Sequence, residues 1–195
     1  MGVVFYQEFP FHPFIEIKMT EPEKLQYPIG RFQAPEIYSE ALLNEYKNSI
    51  ATLPKRLEEA VKDLSLLQLE TPYREGGWNV REVVHHLADS HMNSLIRFKL
   101  TLTEELPIIK PYIEQKWALL ADSQLPIEIS IQLLSGIHLK LTKLIDSLLP
   151  QELNREYYHP QYEKNFKLQE AIALYAWHGN HHLAHITTLK ARIGW

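Results

Sequence analysis

Seven of the ten histidines in this 195-residue chain fall in two short segments, His85, His86 and His91 in one and His178, His181, His182 and His185 in the other. Each residue of an α-helix advances by about 100°, so His178 and His182 stand one turn apart with both rings able to reach one point. His181 and His185 make a second such pair, rotated by about 60° from the first. Two imidazoles at this spacing are the helical half of many zinc sites, because they supply two ligands without straining the backbone. A third ligand must come from elsewhere, and His85-His86 is the other cluster. Spacing alone leaves both pairs open. Three imidazoles leave one position of a tetrahedral ion to water or substrate, which favours catalysis over a structural role. As neutral ligands they also keep the ion's full charge, which ionises a bound water or thiol near neutral pH.

The neighbours of these histidines suggest partners. Asp89, Ser90 and Asn93 follow His86 by three, four and seven residues, close to its face. They are candidates to orient a ligand or to bind polar groups of a substrate. Asp89 is the candidate catalytic group, with Glu82 as the other carboxylate available as a base; Gly179 and Asn180 fill the interval where a HExxH motif would carry glutamate. Asn93 and Arg97 are candidate substrate contacts, and Arg97 suits an anionic group. Tyr112 and Trp177 are further candidates, although Trp177 also reads as core packing. His91 and His138 read as packing histidines, and His12 and His159 as surface or loop residues.

Long helices must position these groups. Apolar residues recur every three or four positions from about Ser39 to Leu64, with Pro54 expected to kink or divide the segment. Asn79 and Glu82 form a capping-box pattern opening a helix that runs to about Thr103. A short helix is expected around Gln115–Ala121 and a long one from about Pro126 to Leu149. Residues 151–167 form an aromatic, polar connection with room for a small hairpin. The last helix runs from about Leu168 to Ile193, with Gly194 as its stop. Residues 1–35 hold five of the 12 prolines and no sustained period, so they read as an extended arm over a domain spanning 36–195. Met19 is a plausible alternative start, leaving 1–18 as an extension. The fold class is all-α, a four-helix bundle with an extended N-terminal arm.

Composition narrows the function. Hydrophobic residues make up 45% and charged residues 23%, as in an ordinary globular domain, and the net charge of −4 gives no basic footprint for nucleic acid. The absence of cysteine excludes disulfides, thiolate ligands and a cysteine nucleophile, and fits a reducing cytoplasm. No apolar run reaches the roughly 18 residues of a membrane span, and no basic leader precedes the apolar start, so neither membrane nor secretory signal is expected.

The stretch TPYREGGWNVREVVHHLADSHMNSLIRFKLTLTEELP, together with YAWHGNHHLAHI near the end, resembles the DinB/YfiT-like superfamily, on the branch of YfiT-type metal-dependent hydrolases. YPIGRF at residues 27–32 also resembles the start of that branch, so the resemblance covers about residues 19–195. It implies a four-helix bundle holding one divalent metal, zinc or nickel, through His86, His178 and His182, and so prefers that pair over His181 and His185. Related members are bacillithiol or mycothiol S-transferases and a thiol-dependent isomerase, and YfiT-like members are homodimers. With these relatives, and with no HExxH-type glutamate between the ligands, the expected reaction is transfer of a low-molecular-weight thiol to an electrophile through a metal-bound thiolate. Hydrolysis by metal-activated water is the alternative, and a metal-stabilised binding or sensing module without turnover is a third reading.

Overall fold

The computed structural model describes residues 20–195; the expectations for residues 1–18, for Met19 and for His12 lie outside them. Four long helices carry the fold: α2 (Glu40–Val61), α4 (Val80–Thr103), α6 (Ile127–Ser147) and α7 (Leu168–Ile193). Short elements connect them: α1 (Glu21–Gln26), α3 (Leu66–Leu69), α5 (Glu114–Trp117) and an antiparallel hairpin of β1 (Glu156–His159) and β2 (Lys164–Lys167). This is the all-α bundle that the periodicity predicts.

The helix starts follow local chemistry. Ser39 Oγ accepts the Leu42 N–H at 3.2 Å at the head of α2. Asn79 and Glu82 close a reciprocal capping box on α4, with both bonds at 2.8 Å. Gly194 ends α7 at φ 76°, a left-handed conformation that glycine adopts without the Cβ penalty.

Packing decides what spacing does not. The four helices form a ring in which α2 packs on α6 and α7, and α4 packs on the same two. The successive long helices α2 and α4 therefore lie across the diagonal. Buried side chains gather in two apolar clusters. One contains Leu53, Leu57, Val84, Leu87, Leu134 and Ile186; the other contains Ile50, Phe98, Leu141, Tyr157, Ile172 and Tyr175. Along α4, His91 falls between Leu87 and Phe98; along α6, His138 falls between Leu134 and Leu141. Residues 178–182 of α7 likewise separate its two apolar stretches. A layer of imidazoles thus crosses the bundle where the two cores meet.

Four expectations need amendment. Pro54 lies inside α2 without dividing it, because the carbonyl it deprives of a donor is hydrogen-bonded from another helix, as described below. The segment 20–35 is not wholly extended: Thr20 and Glu23 form a capping box that starts α1. The short helix expected around Gln115–Ala121 is divided into α5 and a 3₁₀ turn at Ala121–Gln124. His159 is buried rather than superficial, because β1 folds its side chain onto Tyr162 and Phe166.

Candidate metal centre

His86 from α4 and His178 and His182 from α7 converge in the imidazole layer. One ring nitrogen from each lies within 4.8 Å of the other two, and the ring centroids are 4.5–5.3 Å apart. The Nε2 atoms of His86 and His178 are separated by 3.2 Å. Two ligand nitrogens held at about 2.0–2.1 Å from one tetrahedral ion would stand about 3.4 Å apart. His182 also buries an Nδ1 with no hydrogen-bond partner among the described residues, and a buried polar atom of this kind calls for one. The donor set and its spacing fit a divalent ion such as zinc or nickel.

Electrostatics point the same way. Burial, followed by the neighbouring histidines, drives the His86 pKa down to about 3. The same causes hold His178 and His182 well below the ordinary value. All three rings are therefore neutral at pH 7 with lone pairs available, as coordination requires. Trp78 lies against His86, with ring centroids 4.5 Å apart, and against His182, with centroids 6.1 Å apart.

The close approach of α7 to α2 depends on Gly179. A Cβ there would stand 2.4 Å from Leu53 Cδ2, so a side chain would have to displace Leu53 from the contact between α2 and α7. A polar clamp holds the same contact: Arg56 donates to Asn180 Oδ1 at 2.9 Å and to the Ser49 carbonyl at 2.9 Å, and Asn180 donates to Ser49 Oγ at 2.9 Å. The sequence marks Gly179 and Asn180 only as an interval without a glutamate; the packing role of a glycine between two candidate ligands and the clamp on Asn180 emerge from the structure.

A cavity of about 420 Å³ opens onto this cluster, within the size range of small-molecule sites. His86, His178, His181 and His182 form part of its lining. Trp78, Ser90, Arg97, Tyr112, Tyr175 and Trp177 contribute as well, along with Tyr157, His159 and Tyr162 from the hairpin region. The hairpin's share was not foreseen, since nothing in the Tyr157–Tyr162 segment says which helices it folds against. Arg97 donates to the Tyr175 hydroxyl at 2.9 Å, and its Nε has no partner among the described residues. Glu114 is the one carboxylate among the described lining residues.

The other candidates stand elsewhere. Asp89 does not line the cavity; burial first, and the charge of Asp122 second, push its carboxyl up to about 6. Asn93 spends its amide on the Asp89 carbonyl of its own helix at 2.9 Å, and Glu82 is committed to the α4 cap. Trp177 serves two purposes, lining the cavity while it stacks on His181 with centroids 4.6 Å apart. His181 and His185 also form a trio with His182. His185, however, donates from Nε2 to the Gln26 carbonyl at 3.0 Å, stacks on Tyr73 and does not line the cavity.

Comparison with known proteins places this arrangement in context. Residues 50–186 match the model of the DinB superfamily. Proteins of Bacillus mycoides (strain KBAB4) and Bacillus cereus (strain 03BB102), both named as candidate metal-dependent hydrolases, are 50% identical over 171 residues, covering 88% of this chain and 98% of theirs. The solved structure of YfiT from Bacillus subtilis superposes with a TM-score of 0.86 at 46% identity, covering 88% of this chain and 99% of that one. It is described as a candidate metal-dependent hydrolase with an unusual four-helix bundle topology. Family match, extended identity and shared architecture agree, and this chain belongs to the DinB/YfiT-like superfamily.

Proposed function

We propose that this protein is a metal-dependent enzyme acting on small molecules, with His86, His178 and His182 as the ligands of one zinc or nickel ion. The observation that carries the reading is three neutral imidazoles, His86 and His182 buried and His178 half-buried, converging at the wall of a cavity. His86, His178 and His182 would hold the ion at the cavity wall, and the chemistry it would supply there is a lowered pKa for a thiol or water.

We infer further that the reaction is transfer of a low-molecular-weight thiol to an electrophile. The chain has no cysteine, so the sulfur comes with a cosubstrate. Arg97 binds an anionic group of that cosubstrate, and the Tyr175 hydroxyl orients the guanidinium. The aromatic wall from Trp78, Tyr157 and Tyr162 shields the thiolate from water. The thiol's proton goes to solvent; the sulfur then attacks the electrophilic carbon, and a carbon–sulfur bond forms as the leaving group departs with its electron pair. Hydrolysis is the second reading, supported by the names of the relatives and by Glu114, the lining carboxylate available as a general base. The homodimer implied by the family resemblance belongs to the same proposal, and light scattering reads it.

The test uses the protein purified with its native metal, a chlorobimane-type electrophile and a panel of low-molecular-weight thiols. Metal-dependent conjugation selective for one thiol is the expected result. Turnover of esters or amides alone would replace transfer by hydrolysis. A stoichiometric metal without any turnover would leave a binding or sensing module.

A further inference from the structure

We propose that His138 and His91, buried in the layer between the two apolar cores, are positioning residues that fix the tautomer of His178 and present its Nε2 lone pair to the metal centre. The proposal rests on the metal-dependent reading above. It begins at a proline. Pro54 has no N–H to return to the carbonyl four residues earlier, so Ile50 O loses its helical donor at a buried position on the inner face of α2.

His138 Nδ1 lies 2.5 Å from that oxygen. A carbonyl only accepts, so Nδ1 carries the proton. His138 and His91 are 1% and 0% exposed, and no carboxylate is paired with either among the described residues; in such surroundings an imidazole is neutral and has a single N–H. His138 Nε2 is therefore bare. It stands 2.9 Å from His91 Nδ1, which must donate. His91 Nε2 is then bare in turn, and at 3.3 Å from His178 Nδ1 it accepts a hydrogen bond from that N–H. The single proton of His178 is thereby placed on Nδ1, which leaves Nε2 as a lone pair 3.2 Å from His86 Nε2.

One backbone carbonyl, released by Pro54, thus sets three tautomers in succession and ends at a ligand atom. Without the chain, His178 could carry its proton on Nε2 and hydrogen-bond to His86, a form that cannot coordinate. Partners of this kind, behind a metal-bound imidazole, typically change metal affinity by 10–100-fold. His91 and His138 would then have a role beyond filling the core.

The experiment has two arms. In the first, nitrogen-15 NMR of histidine-labelled, metal-free wild-type protein at neutral pH reads the tautomers directly. His138, His91 and His178 should each carry their proton on Nδ1; a proton on Nε2 of any of the three would overturn the proposal. In the second, zinc and nickel are titrated against a chelator. His91→Phe keeps the volume but breaks the chain, and should weaken binding by roughly 10–100-fold. His91→Gln can donate to His138 and accept from His178, and should recover affinity to within about threefold of wild type. Folding of both variants is checked by their circular dichroism melts. A folded His91→Phe variant that binds as tightly as wild type would overturn the proposal, as would equal losses in the two variants. If wild-type protein binds neither ion, the metal reading fails, while the tautomers are still read without any ion.

Discussion

Helix α7 carries two histidine pairs with the same i,i+4 spacing and opposite surroundings. His178 and His182 turn toward α4, meet His86 and border the cavity. His181 and His185 are rotated toward the C-terminal end of α1 and the residue after it: His181 lies 5.8 Å from Tyr27 between ring centroids, and His185 gives its N–H to Gln26 O. Identical residue type and spacing therefore lead to different chemistry. His181 also borders the cavity, so what separates the pairs is an imidazole from a second helix, His86, lying opposite the first, which α7 itself does not encode.

The sharpest way to break this comparison is to remove one member of each pair. His178→Ala should abolish stoichiometric metal binding, whereas His185→Ala should leave it near one ion per chain, both measured by elemental analysis of purified protein. His182→Ala should also abolish binding. The reverse pattern for His178 and His185 would move the ion to the other trio.

A second effect, worth several kcal/mol, appears in acid. Burial holds His86 and His181 near 3 and His138, His159 and His185 near 4, so these groups stay neutral in the fold but gain protons once unfolded. Their folded pKa values are lowered, so the unfolded chain binds more protons and stability falls as pH drops below about 6.5. Each such histidine removes about 1.4 kcal/mol by pH 5.5. Metal-free protein should therefore lose its cooperative melt between about pH 6 and 4.5. A melting temperature that stayed flat over this range would refute the buried-neutral picture.

Smaller changes sharpen the geometry. Gly179→Ala forces its new Cβ against Leu53 and should cost about 1–3 kcal/mol in denaturant unfolding, with weakened metal binding. Adding Leu53→Ala should restore the binding more than the stability, because it relieves the clash but leaves a gap. The mildest change is Arg97→Lys. It should raise KM for an anionic thiol by roughly tenfold through the loss of planar hydrogen bonding, with metal content unchanged.

Much of this was legible from the residues. The spans of α2, α4, α6 and α7 follow from runs of apolar residues at three- and four-residue spacing. Their ends follow from Ser39, Asn79 with Glu82, and Gly194, each acting on backbone groups within a few residues. The hairpin's part in the cavity was less legible, because Tyr157 and Phe166 show their role only against α4 and α7. His159 was misplaced for the same reason. His91 and His138 looked like ordinary core residues, since the carbonyl that organises them is on α2 and both lie far from it along the chain.

The sequence by itself determined the helices, their caps and the placing of two imidazoles one turn apart, because those depend on bonds and periodicities a few residues long. The tertiary structure alone decided which pair meets His86, which side chains wall the cavity and how a proline on α2 is linked through His138 and His91 to His178 on α7. Those outcomes depend on helices meeting across the core, with contacts set by packing rather than by neighbours in the chain.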